Sequence, residues 1–186
     1  MNTVTVPAPR HTSEITPSET RITIPAKMNV LILIFMLFWL SIWMTAGFGM
    51  IGNVLSNSFR QLSGFALIWV CFWAIGISYV VIGVLWQFAG KEIIRIAEGE
   101  IEIRYAIFGI GFSKRYTLTE AHKLRVSPNP PVSFWNSRRG QSPFGEPGII
   151  AFDYGAKTIR FGRSLDEAEA TQIVAKLSAR HAGLNA

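Results

Sequence analysis

The chain has 186 residues, a formal net charge of +6 and a mean hydropathy of +0.30, which is more apolar than soluble domains of this size usually are. Fourteen of its 18 Lys and Arg residues follow residue 88, interleaved with carboxylates rather than clustered, which argues against a nucleic-acid groove and favours a surface next to a membrane. Its single cysteine, Cys71, excludes an intramolecular disulfide framework.

The N-terminal segment, residues 1–27, is rich in Thr, Ser and Pro and shows no sustained apolar period. This composition predicts a disordered tail. The tail and the apolar run after it are both too long for a cleaved signal peptide, and a second apolar run follows. We therefore expect an anchor that is retained.

Two apolar runs without charged side chains, Met28–Ile51 and Gly64–Phe88, flank a short polar connector, Gly52–Ser63. The first run would form a helix about 36 Å long, enough to cross a hydrocarbon core of about 30 Å. Backbone groups in lipid must satisfy each other, which requires a helix here. The sequence therefore predicts a hairpin of two transmembrane helices over residues 28–89.

Small residues recur on one face of each predicted span. These residues are Ser41, Thr45 and Gly49 in the first span, and Ala74 and Ser78 in the second. Such stripes let helices approach closely in lipid. They predict either packing of the two spans against each other or a homo-oligomer contact.

Charge and aromatic side chains at the ends of the spans predict the orientation. Lys27 precedes the first span, and Lys91 and Arg95 follow the second, whereas the connector carries only Arg60. The excess of positive charge predicts that both termini are cytoplasmic, and Trp86 with Lys91 has the composition of a membrane-interface anchor.

From Gly90 onward the apolar period becomes two, which predicts six or seven short antiparallel strands. The predicted strands are Ile93–Ile96 and Ile101–Tyr105 around a Glu98-Gly99 turn, Phe112–Leu118 after a turn at Gly109–Gly111, Lys123–Val126, and Ile149–Asp153 with Thr158–Phe161 around Tyr154–Ala156. Pro128–Gly148 is predicted to be a long loop because it is rich in Pro and Gly.

A C-terminal amphipathic helix is predicted after the strands. Ser164 and Glu167 have the spacing of a capping box, with Ser164 as the N-cap. Apolar side chains follow on one face, and Gly183 is placed to end the helix. The apolar face consists of Ala170, Ile173, Val174 and Leu177.

Three stretches together resemble a pleckstrin-homology-like (PH-like) fold over residues 90–181. They are Ile93–Tyr105 with its glycine turn, Arg115–Leu118 leading to Leu124–Val126, and Ile159–Gly162 running into the helix. With the helical hairpin, the chain is similar to bacterial membrane proteins that carry a PH-like domain. The resemblance implies a multi-pass protein of the bacterial inner membrane, whose cytoplasmic PH-like domain spans residues 90–186.

The same resemblance implies a bent sandwich of strands with one open end plugged by the helix, here through Ile173, Val174 and Leu177. It does not carry over phosphoinositide recognition. The phosphoinositide-binding members have basic residues at their first hairpin turn, whereas this chain has Glu98, Glu100 and Glu102 there.

An aromatic pair beside a basic pair marks the long loop as a candidate contact surface. Phe134 and Trp135 precede Arg138 and Arg139. The combination suits a membrane interface, where rings lie at headgroup level and guanidinium groups meet phosphate. It equally suits a protein partner, or a loop whose aromatic side chains pack on their own domain.

No catalytic, metal or nucleotide motif is present, so we expect no enzyme activity, cofactor, metal or nucleic-acid partner. The sequence favours a non-enzymatic integral membrane protein whose PH-like domain binds a partner protein or the membrane surface, in a scaffold or assembly role. Its partners would be membrane lipid and either a second protein or another copy of the chain. The alternative is a subunit of a transport or channel assembly that oligomerises through the hairpin, although its spans carry no ionisable residue.

Overall fold

A computed structural model of the chain describes residues 11–56, 64–127 and 148–185. The chain divides into two compact units. The helical unit is Met28–Phe88, and the β unit joins Met1–Lys27 to Ala89–Ala186. The helical unit is therefore an insertion in the chain of the β unit.

Two long apolar helices form the helical unit. They are α1, Val30–Ser56, and α2, Gly64–Ala89. Within them, Val30–Gly52 and Ile68–Ala89 are long and apolar enough to cross a membrane, judged by length and composition. The two apolar helices predicted from the sequence are confirmed.

The helices meet at glycines that leave room for large side chains. A Cβ on Gly47 would lie 1.9 Å from the ring of Trp73, whose Nε1 donates a hydrogen bond to the carbonyl oxygen of Trp43 at 2.8 Å. Gly76 faces the Trp43 ring, and Gly83 faces Met36. Bulky side chains on one helix therefore occupy the space left by small residues on the other.

The predicted stripes of small residues do not form this contact. All five are exposed: Ser41, Thr45, Gly49, Ala74 and Ser78. The hydroxyl groups of Ser41, Thr45 and Ser78 donate hydrogen bonds to carbonyl oxygens of their own helix, as in the 2.9 Å bond from Thr45 Oγ1 to the Ser41 oxygen. The expected packing of the two spans through these stripes is corrected, because the contact runs along Gly47, Gly76 and Gly83.

The described part of the β unit contains eight strands in two antiparallel sheets. The first sheet has the order β1-β2-β3-β4-β5 and the second β6-β7-β8. The strands are β1 Thr12–Ile15, β2 Glu19–Pro25, β3 Gly90–Ala97, β4 Glu100–Ile107, β5 Ile110–Thr117, β6 Ala121–Val126, β7 Ile150–Tyr154 and β8 Lys157–Phe161. The mainly β architecture predicted after residue 90 is confirmed.

The N-terminal segment is not a disordered tail over its described residues. Strands β1 and β2 form a hairpin, and β2 pairs along its whole length with β3. Thr20, Ile22 and Ile24 point into the core, and each isoleucine is 2% exposed. Burial of these side chains is the physical reason that the Thr- and Pro-rich segment is ordered.

Tight turns join β3 to β4 and β4 to β5 in the first sheet. Glu98 and Gly99 connect β3 to β4 with φ values of 54° and 76°, and Phe108 and Gly109 connect β4 to β5 with 50° and 83°. Two central residues with positive φ are characteristic of a type I′ hairpin turn. The first turn matches the prediction, whereas the second begins at Phe108 rather than Gly109.

Helix α3, Glu167–Arg180, follows the second sheet. Its N-cap is Asp166, whose side chain accepts a hydrogen bond from the Glu169 N–H in a complete capping box. The predicted N-cap, Ser164, instead accepts a hydrogen bond from the Lys27 N–H at 3.1 Å. Ala170, Ile173 and Leu177 are buried as predicted, while Val174 is only partly buried.

Candidate functional site

The points where the chain leaves and rejoins the β unit lie side by side in one sheet. Strand β2 ends at Pro25, which is the register partner of Lys91 in β3. One residue further, the Ala26 N–H donates to the Gly90 carbonyl oxygen at 2.9 Å. The sheet therefore holds the two points of the chain that connect to the helical unit, Ala26 and Gly90, next to each other.

The linker between β8 and α3, residues 162–166, contacts the ends of both of these strands. The Lys27 N–H donates to Ser164 Oγ, just beyond the end of β2. In β3, Glu92 Oε2 accepts hydrogen bonds from the N–H groups of Gly162 at 3.0 Å and Arg163 at 3.1 Å. One linker thus ties together the strand before α1 and the strand after α2.

Glu92 is a buried carboxyl group, with 3% of its surface exposed. Burial raises its pKa above the usual value, and the two backbone N–H groups oppose the shift by stabilising the charged form. Its register partner in β4 is Tyr105, whose hydroxyl pKa is raised by burial and by the charge of Glu92. The Arg163 guanidinium lies over the Tyr105 ring, 4.8 Å from its centroid, in a cation–π contact.

An apolar turn projects from the end of the sheet where these strands leave. Ile107 and Ile110 are register partners that flank Phe108 and Gly109, and Gly90 is the other neighbour of Ile107. We call Ile107–Ile110 the proximal turn. Phe108 is 73% exposed and Ile110 is 83% exposed, so the turn presents large apolar side chains to its surroundings.

Three exposed basic side chains lie at the same end of the β unit's sheet as the proximal turn. They are Lys27, Lys91 and Arg104. Arg104 Nη2 donates a hydrogen bond to the Gly109 carbonyl oxygen at 2.8 Å, which holds its guanidinium at the turn. This end of the sheet therefore combines apolar and cationic groups.

The opposite end of the same sheet is acidic. The turn between β3 and β4, which we call the distal turn, spans Ala97–Glu100, with exposed Glu98 and Glu100. The carboxylate of Glu19 in β2 lies alongside and accepts hydrogen bonds from Arg95 at 2.9 and 3.2 Å. The two turns share a backbone conformation and differ in chemistry.

The predicted contact and anchor residues have varied outcomes. Phe134, Trp135, Arg138 and Arg139 lie outside the described residues. Trp86 is buried rather than exposed, while Lys91 is exposed at the end of the sheet where the proximal turn lies.

Sequence reasoning missed Glu92, Arg104, Phe108 and Ile110. The signal for the proximal turn was present as Ile107-Phe-Gly-Ile110, because apolar side chains flank a glycine where turns usually carry polar residues. In the described parts of the chain, no group of three or more His, Cys, Asp or Glu is arranged to hold a metal ion. The exposed apolar and basic side chains at the proximal turn suit a contact with another molecule.

Comparisons of the chain with protein-family models, curated proteins and solved structures found no match. Function is therefore inferred from the residues and geometry described above.

Proposed function

We propose that this protein is a non-enzymatic integral membrane protein with two transmembrane helices and a PH-like domain. The PH-like domain binds a partner protein or the membrane surface, in a scaffold or assembly role at the bacterial inner membrane. Both termini lie in the cytoplasm.

The pairing of β2 with β3 carries this proposal. Glu19–Pro25 and Lys91–Ala97 are paired residue by residue, although both helices lie between them in the chain. Because a sheet cannot form across a bilayer, a membrane-spanning insertion at this point must cross an even number of times. Two helices of sufficient length meet that requirement.

The positive charges near the helix ends favour a cytoplasmic location for the β unit. Lys27, Lys91 and Arg95 lie within a few residues of the helix ends on the β-unit side, and only Arg60 lies in the connector. Cytoplasmic loops of membrane proteins carry the excess of Lys and Arg.

Two antiparallel sheets followed by one amphipathic helix support the PH-like assignment. Ile173 and Leu177 of α3 are almost fully buried, as a helix that plugs a sandwich of strands requires. The exposed apolar and basic groups of the proximal turn suit binding to a surface.

Cysteine accessibility tests this topology. In a Cys71→Ala background, single cysteines replace Ser18 in the β1–β2 turn, Glu98 in the distal turn and Ser58 in the connector. A membrane-impermeant maleimide should label the first two from the cytoplasmic side only, and the third from the opposite side only. Labelling of the Ser18 and Glu98 positions from different sides, or of all three from one side, would contradict the proposal.

Crosslinking and pulldown from native membranes test the binding role. Wild type is compared with a Trp135→Ala, Arg138→Ala, Arg139→Ala variant, because these residues are the sequence-predicted contacts. A defined protein lost in the variant supports a scaffold that acts through the 128–148 loop. Recovery of the same partners with both proteins would exclude the loop as the contact.

A further inference from the structure

We propose that the β unit inserts its proximal turn, Ile107–Ile110, into the interfacial layer of an anionic lipid bilayer. The inference rests on the proposed function, since it requires that α1 and α2 span the membrane. It goes beyond that function by naming the partner of one surface and the residues that bind it.

Covalent continuity places the turn near the membrane level. Helix α2 ends at Ala89 and β3 begins at Gly90, without an intervening residue. Gly90 is the register partner of Ile107, and strands paired in this way lie about 5 Å apart. A bilayer crossed by α2 up to Ala89 therefore ends within reach of the exposed Phe108 and Ile110.

The composition of the turn is poorly explained by the fold alone. Type I′ turns favour Asn, Asp or Gly at the position that Phe108 occupies with φ of 50°, because bulky side chains are strained there. Its side chain is also largely exposed, so burial within the β unit does not offset that strain. Glu98 has nearly the same φ at the distal turn, so what sets the proximal turn apart is a large aromatic side chain left exposed, and this indicates a role outside the fold.

The flanking charges specify an anionic surface. Lys27, Lys91 and Arg104 are exposed at the same end of the sheet as the turn, and the Arg104 guanidinium is held at the turn by its bond to the Gly109 oxygen. Apolar side chains that enter the acyl boundary beside Lys and Arg at phosphate level are the usual composition of a surface that binds anionic lipid.

The distal turn provides an internal contrast. Strand β4 separates the two turns by eight residues, or about 25 Å. Glu98 occupies at the distal turn the position that Phe108 occupies at the proximal turn, with nearly the same φ. The acidic distal turn lies at the end of the sheet away from Gly90. Its carboxylates would be repelled by an anionic lipid surface, whereas the basic groups near the proximal turn would be attracted to it.

An environment-sensitive probe at these two matched positions tests the inference. The full chain, in a Cys71→Ala background, carries Phe108→Cys or Glu98→Cys labelled with a nitrobenzoxadiazole fluorophore. Each protein is placed in nanodiscs that hold one copy of the chain, made of phosphatidylcholine with phosphatidylglycerol. Quenching is measured with lipids spin-labelled near the headgroup and with aqueous iodide.

We expect quenching by the spin-labelled lipid to be severalfold stronger at position 108 than at position 98, and iodide quenching to show the reverse order. Replacing Lys91 and Arg104 by Gln should reduce lipid quenching at position 108 in anionic discs, with a smaller effect in discs of phosphatidylcholine alone.

Equal quenching at the two positions would overturn the inference, provided that cysteine labelling still reports two membrane crossings. A protected probe at position 108 that appears only when several copies share a vesicle would also overturn it, because the occupant would then be a second chain. Failure of the crossing itself would be seen separately, in the labelling of the Ser58 position.

Discussion

Glu92 Oε2 accepts a hydrogen bond from the N–H of Gly162 at 3.0 Å, which joins residues 70 positions apart in the chain. The bond ties the strand that follows α2 to the linker that precedes α3. Because the carboxyl group is buried, its protonation state should affect the stability of the β unit.

The first prediction concerns pH and Glu92. Burial raises the folded-state pKa of Glu92 above its ordinary value of 4.5, so the stability that this group contributes is fully present below pH 4.5 and is lost as pH rises through the folded-state pKa. Glu92→Gln keeps an oxygen that accepts the same N–H bonds and does not titrate. The free energy of unfolding of the variant, relative to wild type, should therefore increase as pH rises above 4.5.

Amide hydrogen exchange of β3 and β8 in the detergent-solubilised chain measures this difference over a pH series. Glu100→Gln is the matched control, because Glu100 is an exposed carboxylate of the neighbouring strand. A flat difference for the Glu92 variant would show that burial of its charge does not affect stability in this range.

The sequence predicted the helices, the strands of the β unit after residue 90 and most of the buried face of α3 because their signals are local. The pairing of β2 with β3 is not local, since the two strands are separated by both helices. Thr20, Ile22 and Ile24 do alternate with polar residues, but the pattern is short and lies between Pro17 and Pro25.

Two overlapping motifs explain the misplaced helix start. Ser164 with Glu167 and Asp166 with Glu169 have the same capping-box spacing. The hydrogen bond from Lys27 to Ser164 favours the second, and Lys27 belongs to the segment, residues 1–27, that the sequence predicted to be a tail. The composition of the proximal turn is visible in the local sequence, whereas its position beside Gly90 depends on the register of β3 with β4.

The second prediction is that the N-terminal hairpin is part of the folded β unit. Ile24→Ala removes a side chain that is 2% exposed and should destabilise the unit by about 2–5 kcal/mol, from lost burial and the cavity left behind. Ile15→Ala, at a half-exposed position of β1, should change stability by no more than about 0.5 kcal/mol. Exchange protection of β3 reports both, and equal small effects would restore the disordered-tail interpretation.

The third prediction separates the two candidate caps of α3. Asp166→Ala removes the side-chain acceptor for the Glu169 N–H and should destabilise the helix by about 1 kcal/mol. Ser164→Ala removes only the acceptor for the Lys27 N–H, so the first turn of α3 should keep its exchange protection. Greater loss of that protection in the Ser164 variant than in the Asp166 variant would identify Ser164 as the cap.

The fourth prediction concerns the packing of α1 against α2. A Cβ on Gly47 would overlap the Trp73 ring, which is held by its bond to the Trp43 oxygen and by stacking on Trp69, 6.4 Å between centroids. Gly47→Ala should therefore lower the stability of the hairpin by about 1–3 kcal/mol through overpacking. Gly49→Ala meets no atom within 4 Å and should be neutral or slightly stabilising, because alanine favours the helix.

The thermal unfolding temperatures of the two variants are compared with that of wild type in two media. The media are a detergent in which wild type is monomeric and a lipid bilayer. If Gly49→Ala were the more damaging change in lipid but not in a monomeric detergent sample, the exposed stripe of Ser41, Thr45 and Gly49 would be a contact between copies of the chain. If it were more damaging in monomeric detergent as well, Gly47 would not mark the contact between the two helices. A larger effect at Gly47 in the monomeric detergent sample agrees with packing of the two helices through Trp73.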